Sequence, residues 1–247
     1  ARREKDSSRH YVAAFQHDTR IVARQIESVL EALYSTPAGK NTIVIVLADH
    51  GDGMGSHRMV TKQVSFYEEM TNVPFIIAGP GIHPRQKPVE DLLTQPTIDL
   101  LPTLCELAGI PVPSSKPGIS LAPFLKGEKQ KRQHPYAASE WHSEYEVTVS
   151  PGRMIRSPRY KYTHYLEGNG EELYDMLKDK GERRNLAHDP KYSKILAEHR
   201  ALLDDYIRRT QDDYRSLKVE ADKRWRSHAP GYPNHEGPCA RDIINRK

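Results

Sequence analysis

An aspartate and a histidine stand side by side at the end of an apolar run in residues 42–53, which read TIVIVLADHGDG. Asp49 supplies a carboxylate and His50 an imidazole, and both groups are common metal ligands. The glycines of the run permit a sharp turn, in which the two side chains can converge on one ion. Lys62 follows thirteen residues after the aspartate and is a candidate for pairing with an anionic substrate. The spacing therefore predicts a metal site beside an anion-binding lysine.

The apolar residues before this pair predict the strand that positions it. Residues 43–47 read IVIVL, the continuous apolar pattern of a strand covered on both faces in a parallel sheet. Ligand sites in such sheets open at the carboxyl ends of the strands, where Asp49 and His50 stand. Residues 75–78 read FIIA and predict a second short buried strand. For the tripeptide Asp-His-Gly alone, an ordinary turn with the aspartate accepting backbone N–H bonds is the alternative.

Two helices are predicted around these strands. Apolar residues at helical spacing predict an amphipathic helix over about residues 10–34 that packs on the sheet. A second helix is predicted over residues 97–108, with Thr97 as its cap and Gly109 closing it. Helix and strand then alternate in the manner of an α/β protein.

Beyond about residue 134 the pattern changes. Short strand-like runs predict a small antiparallel sheet, at residues 136–141, 153–156 and 160–165. Helical spacing returns over about residues 190–212, so a helix is expected to cover that sheet. We therefore divide the chain into residues 1–126, an α/β portion with part of the metal site, and residues 127–247, a sheet-and-helix subdomain with an irregular tail.

A series of short motifs runs along residues 10–212. In chain order they read YVAA at 11–14, DHG at 49–51, GSH at 55–57, YEE at 67–69, NVPFII at 72–77, TIDLLPTL at 97–104, RSPRYKY at 156–162 and ELYD at 172–175. This order resembles the carboxy-terminal part of a type I sulfatase, within the alkaline phosphatase superfamily. The resemblance implies an α/β fold, an alkaline-phosphatase-like sandwich portion followed by a small α+β subdomain of antiparallel sheet plus helix.

The resemblance also implies roles for single residues. Asp49 and His50 would bind a divalent metal, calcium by family likeness, with magnesium or manganese as alternatives because hard calcium prefers oxygen ligands. Lys62 would bind a sulfuryl oxygen and stabilise charge as the ester bond breaks. His57 would donate to the substrate or protonate the leaving group, although its position could equally serve to brace the loop.

Two parts of such an enzyme are not visible in this sequence. The nucleophile of a type I sulfatase is a formylglycine made from Cys or Ser in a Cys/Ser-x-Pro-x-Arg signature, and neither Cys105 nor Cys239 has the required proline. The pair of acidic metal ligands expected near the amino terminus is also missing. We therefore expect the chain to be the carboxy-terminal half of a larger sulfuric ester hydrolase, with the amino-terminal half as its partner and no turnover by itself. The alternatives are a phosphate or phosphonate ester hydrolase of the same superfamily, and a non-catalytic anion-binding fragment.

Substrate recognition is expected from loops around the site. Trp141, His142 and Arg153 are candidates because aromatic and cationic groups suit sugar rings and sulfates, and the alternative is that they pack the small sheet. The expected substrate is a sulfated small molecule, either an aryl sulfate or a sulfated glycan. Family resemblance also suggests an exported protein.

Composition argues against two other classes of partner. The net charge of +4 comes from 37 basic and 33 acidic residues spread along the chain, without a basic stripe interleaved with aromatics. That distribution does not favour nucleic-acid binding. No apolar run approaches the roughly 20 residues that a transmembrane helix needs, so no membrane span is expected.

Overall fold

The computed structural model describes residues 2–59, 65–90, 92–114, 117–129, 134–141, 151–166 and 170–217. The helices are α1 (Arg2–Tyr34), α2 (Glu68–Thr71), α3 (Pro96–Leu107), α4 (Ala122–Leu125) and α5 (Ser193–Thr210). The strands are β1 (Val44–Leu47), β2 (Phe75–Ala78), β3 (Ala137–Trp141), β4 (Gly152–Arg156), β5 (Tyr160–Tyr165) and β6 (Gly170–Asp175). Short 3₁₀ turns lie at Pro37–Asn41, Ser56–Arg58, Pro190–Tyr192 and Tyr214–Ser216. Within these ranges, no helix combines the length and apolar character that crossing a bilayer requires.

The first sheet has two strands in the described part of the chain. β1 and β2 lie where the sequence predicts them, but they pair antiparallel, with Val44 opposite Ala78 and Leu47 opposite Phe75. The expected parallel pairing is therefore wrong for these two strands, because an apolar run indicates burial and not strand direction. Burial is also lower than expected, since Leu47 is 41% exposed and Ile76 58% exposed.

Helix α1 is longer than predicted and keeps its apolar stripe in solvent. It begins at Arg2 and ends at Tyr34. Val22 is 51% exposed and Val29 67% exposed, so the expected packing of this stripe on the sheet is not what the structure shows. Helical spacing indicates which side chains share a face, but not which segment covers that face.

The second sheet carries the main core. Strands β3, β4, β5 and β6 pair antiparallel in chain order, and α5 lies across one face, as predicted. Successive side chains of a strand point to opposite faces. Ile155, Tyr162 and Leu173 come together across β4, β5 and β6 and pack against Leu196 and Leu203 of α5. The predicted α+β subdomain is confirmed in these elements.

Helix α3 begins one residue earlier than predicted, and Asp99 replaces Thr97 in the capping role. Asp99 is fully buried, and its carboxylate accepts the Gln95 amide at 2.7 Å and the Ile119 amide at 2.8 Å. Nε2 of His134 lies 2.7 Å from the same carboxylate. Gly109 closes the helix with φ of 68°, as its predicted role requires. Asp99 thereby connects α3 to His134, which lies on the far side of the predicted boundary at 126/127.

Candidate active site

Asp49 and His50 lie on an exposed turn directly after β1. Their side chains are 86% and 41% exposed. Nδ1 of His50 lies 2.8 Å from the carbonyl oxygen of Gly51. Because a carbonyl oxygen only accepts, Nδ1 carries a proton toward Gly51. Nε2 lies 3.5 Å from Oδ2 of Asp49, so an aspartate oxygen and the second ring nitrogen face each other at close range.

This arrangement fits one part of a metal site. A carboxylate oxygen and an imidazole nitrogen are both common metal ligands, and both atoms can reach one cation from this turn. Metal–oxygen distances of about 2.3–2.6 Å for calcium are compatible with two ligand atoms 3.5 Å apart. Within the described ranges, no three His, Cys, Asp or Glu side chains converge on a possible metal position. Asp49 and His50 therefore suit a site to which other residues contribute.

Gly51 is required by close packing. Its amide donates to the carbonyl oxygen of Met70 at 2.9 Å, which joins the end of α2 to the residue after His50. A Cβ at position 51 would lie 1.7 Å from the carbonyl oxygen of Glu69, an impossible contact. Helix α2 thus lies directly against residues 49–59, hereafter the site loop.

Helix α1 holds the same loop from another side. The hydroxyl of Tyr11 donates to Oδ1 of Asp52 at 3.0 Å. The same oxygen accepts the backbone amide of Met54 at 2.9 Å, which closes a tight turn inside the loop. Tyr11 belongs to one of the motifs that carry the family resemblance, and this contact gives that motif a structural role.

His57 is held by its neighbours rather than directed freely into solvent. Its backbone has φ of 50°, a left-handed conformation that few residues other than glycine adopt. The imidazole stacks on the Tyr67 ring at 3.6 Å between centroids, with the planes 1° apart. A ring nitrogen also donates to the backbone carbonyl of Gly181. Burial lowers the pKa of His57, Lys161 lowers it further, and Glu69 opposes the change. The ring is therefore neutral at neutral pH, which favours bracing over proton donation.

Of the other residues predicted to contact the substrate, the structure describes Trp141 and Arg153. Lys62 and His142 lie outside the described residues. Arg153 is only 3% exposed, and its guanidinium donates to both carboxylate oxygens of Asp212, at 2.6 and 2.9 Å, and to the carbonyl oxygens of Trp141 and Gly152. The ring of Tyr214 stacks beneath it, 4.5 Å away. These contacts favour the packing role for Arg153, and Trp141 contributes to it through its carbonyl oxygen.

A buried charged cluster, formed by Lys161, Glu68 and Glu182, was not predicted from the sequence. Lys161 is fully buried, and its ammonium contacts three acceptors: the Phe66 carbonyl oxygen at 2.7 Å, Glu68 Oε1 at 2.8 Å and Glu182 Oε1 at 2.8 Å. Oε2 of Glu182 accepts the Glu68 amide at 2.7 Å. Burial raises the pKa of Glu182, and the Lys161 ammonium opposes that rise. The only sequence signal is a lysine that alternates with tyrosines in β5, which ordinarily indicates a solvent-facing position.

Glu172 and two tyrosines extend the cluster along the same face of the sheet. Glu172 is 5% exposed, and burial together with Glu182 raises its pKa to about 7. The hydroxyls of Tyr67 and Tyr174 share a hydrogen bond, and both rings pack with Met59 of the site loop. The face of the sheet opposite α5 therefore combines buried charged groups with a small apolar cluster, and it is covered by segments that belong to the candidate site.

The comparisons with known proteins identify the family of the chain. The sequence model for the family described as N-sulphoglucosamine sulphohydrolase, C-terminal, matches residues 55–209, which is more than half of the chain. The chain belongs to this family, the carboxy-terminal part of type I sulfatases. The resemblance drawn from the motifs is confirmed. The matched range includes residues 55–59 of the site loop, α2 and the charged cluster.

Individual relatives add detail. The chain is 74% identical over 243 residues to the Delta 4,5-hexuronate-2-O-sulfatase of Bacteroides thetaiotaomicron, covering 98% of this chain and 50% of that protein. It superposes on the solved structure of a 2-O GAG sulfatase with a TM-score of 0.87 and 75% identity, covering 96% of this chain and 51% of that one. A phosphonate monoester hydrolase from Silicibacter pomeroyi matches with a TM-score of 0.66 and 28% identity, covering 78% of this chain and 40% of that one. The chain thus spans about half the length of these first relatives.

Proposed function

We propose that this chain is part of a metal-dependent sulfuric ester hydrolase that acts on a sulfated glycan, with a 2-O-sulfated unsaturated hexuronate as the candidate substrate. The observation that carries the proposal is the 74% identity to a hexuronate-2-O-sulfatase, which extends over 98% of the chain. Because half of that relative lies outside this chain, the activity belongs to the longer protein. The other half would supply the formylglycine nucleophile and the remaining acidic metal ligands.

The residues of this chain have distinct parts in that proposal. Asp49 and His50 would hold the divalent cation, for which calcium is proposed, with magnesium or manganese as alternatives. Bound there, the cation would stabilise negative charge on the sulfuryl oxygens. Lys62 would add a fixed positive charge next to the same oxygens. His57, neutral and stacked on Tyr67, would keep the site loop in the shape that presents Asp49 and His50.

The second candidate is hydrolysis of phosphate or phosphonate esters. It is supported by the likeness to a phosphonate monoester hydrolase, at 28% identity and a TM-score of 0.66. A tetrahedral phosphoryl group presents anionic oxygens much like those of a sulfuryl group, so the same cation and lysine would serve either reaction. The much higher identity to sulfatases favours the sulfuric ester.

The test uses the full-length protein and three substrates. These are an unsaturated disaccharide sulfated at O2 of the hexuronate, the same disaccharide sulfated instead at O6 of the other sugar, and an aryl phosphonate monoester. We expect the highest kcat/KM on the first, and a loss of about 100-fold or more on that substrate in Asp49→Asn. Asp204→Asn, which changes an exposed carboxylate on α5, is the matched control and is expected to keep full activity. A higher kcat/KM on the phosphonate would replace the first proposal by the second, and full activity of Asp49→Asn would refute the assigned metal site.

A further inference from the structure

The charged cluster connects three separate parts of the chain. Lys161 belongs to β5, Glu68 begins α2, and Glu182 lies in the loop that follows β6. The Lys161 ammonium donates a hydrogen bond to the Phe66 carbonyl oxygen at 2.7 Å and lies 2.8 Å from one carboxylate oxygen each of Glu68 and Glu182. Since Lys161 is fully buried, these three groups take the place of water around its charge. The cluster thereby fixes where α2 starts relative to the terminal sheet.

The far end of α2 holds the residue that follows the proposed metal ligands. The helix has four residues, and while its first amide bonds to Glu182, the carbonyl oxygen of Met70 accepts the amide of Gly51 at 2.9 Å. A helix this short transmits a displacement of its start to its end. The backbone of Glu69 packs so closely on Gly51 that there is no room between them for even a Cβ atom.

The cluster reaches the site loop by a second route. Tyr67, directly before Glu68, stacks on the His57 ring, and Gly181, directly before Glu182, accepts a hydrogen bond from it. The two groups that fix the imidazole are thus chain neighbours of the two carboxylates that Lys161 pairs. Displacement of either carboxylate would move a group that holds His57.

We propose that Lys161 and Glu182 are positioning residues for the site loop, setting through α2 and Gly181 the geometry in which Asp49 and His50 bind the cation. They contact neither substrate nor metal themselves. The inference rests on the proposed function, because it concerns the metal site assigned there. A positioning role would explain why a fully buried ion pair lies here, because apolar side chains of similar size often stabilise a fold as well or better.

The test is the double variant Lys161→Met with Glu182→Gln in the full-length protein. It removes both charges of the buried pair together, and the partly exposed Glu68 carboxylate keeps the Arg156 guanidinium 3.9 Å away. Two quantities are measured: calcium affinity by titration calorimetry, and hydrogen exchange of the Gly51 amide without added metal. We expect calcium binding to weaken about tenfold, as for other residues that orient metal ligands, and the Gly51 amide to exchange about tenfold faster. The amides of α5 provide an internal reference, since general destabilisation would accelerate them as well.

The matched control is Arg200→Met with Glu171→Gln. It removes an ion pair from the same sheet, on the face that α5 covers, where Nε of Arg200 lies 2.8 Å from the Glu171 carboxylate. Calcium affinity and Gly51 exchange are expected to stay as in the unmodified protein. Should the first double variant fail to fold, Glu68→Gln takes its place, because that side chain is 26% exposed and its loss is milder.

Asp49→Asn separates the two ways in which the inference can fail. If Asp49→Asn abolishes calcium binding while the Lys161 and Glu182 variant keeps normal affinity and normal Gly51 exchange, the positioning role is wrong and the proposed function stands. If Asp49→Asn binds calcium as well as the unmodified protein, the assigned metal site is wrong and the positioning role falls with it.

Discussion

The two faces of the terminal sheet are built from different interactions. On one face, Ile155, Tyr162 and Leu173 bury apolar surface against α5. On the other, Lys161 and Glu172 lie buried beneath α2 and the site loop. Apolar burial is non-directional and tolerates small shifts, whereas a buried ion pair is favourable only in good geometry. The α5 face therefore stabilises the fold, and the opposite face sets how the site-bearing segments lie on it.

The largest effect should come from breaking the charged face at its centre. Lys161→Met leaves the Glu182 carboxylate, 2% exposed, without its ammonium partner. Removing one member of a buried ion pair typically costs about 3–5 kcal/mol. We expect the free energy of unfolding to decrease by about 4 kcal/mol, measured in the full-length protein by native-state hydrogen exchange of the β5 and β6 amides.

Adding Glu182→Gln to Lys161→Met should recover a large part of that stability, because the second change removes the unpaired charge. If the single variant is as stable as the unmodified protein, the ion pair does not organise this face and the contrast between the two faces fails.

A truncation on the apolar face should cost somewhat less and leave the site unchanged. Leu173 is fully buried between Ile155, Tyr162 and α5, and Leu173→Ala removes that packing. We expect a loss of about 3 kcal/mol, in the range for large-to-small core substitutions, by the same exchange measurement. Calcium affinity at a temperature where the variant is fully folded should not change. A weakened affinity would mean that the two faces are coupled more tightly than their contacts indicate.

The third effect depends on pH, and the sign of the change in stability is expected to differ between the two faces. Burial raises the pKa of Glu172 to about 7 in the folded protein, above the ordinary value of 4.5. Between these two values the folded state holds a proton that the unfolded state has lost, so stability decreases as pH rises from about 4.5 to about 7 and is constant above. Glu172→Gln should remove this loss. We expect the variant to be about 3 kcal/mol more stable than the unmodified protein at pH 8 and nearly equal to it at pH 4.5, by urea unfolding at both pH values.

Sequence patterns predicted strand β2 and helix α5 far better than they predicted the charged face of the terminal sheet. Strand β2 lies at residues 75–78 as predicted, because Pro74 and Gly79 bound an apolar run, and α5 follows its helical spacing closely. The charged face could not be predicted, since the acceptor of Lys161 at Phe66 is 95 residues away in sequence. Alternation in β5 tells which side chains share a face, but not which distant segment covers it.

The same limit applies to the candidate site. The turn that holds Asp49 and His50 could be predicted, because it follows directly from the end of an apolar strand. The stacking of His57 on Tyr67 and its bond to Gly181 could not, since both depend on how α2 and a loop more than a hundred residues later meet. For Arg153 the sequence left substrate binding and packing of the sheet open, and its contacts with Asp212 are those of a buried structural pair.

The smallest effect, at the neighbour of Glu172 in β6, has the opposite sign. Glu171 points to the α5 side of the sheet, and its hydrogen bond with Arg200 lowers its pKa below 4.5, against the opposing effect of burial. A lowered pKa adds stability above the unfolded value that is lost as pH falls through the folded value. Because Arg200 is 51% exposed, solvent screens the pair, and Glu171→Gln should cost only about 0.5–1 kcal/mol at pH 8. As pH falls below 4.5 the cost should decrease, in the same urea experiment. Adjacent glutamates whose variants shift stability in opposite directions at pH 8 would establish that the two faces differ electrostatically, and shifts in the same direction would show that they do not.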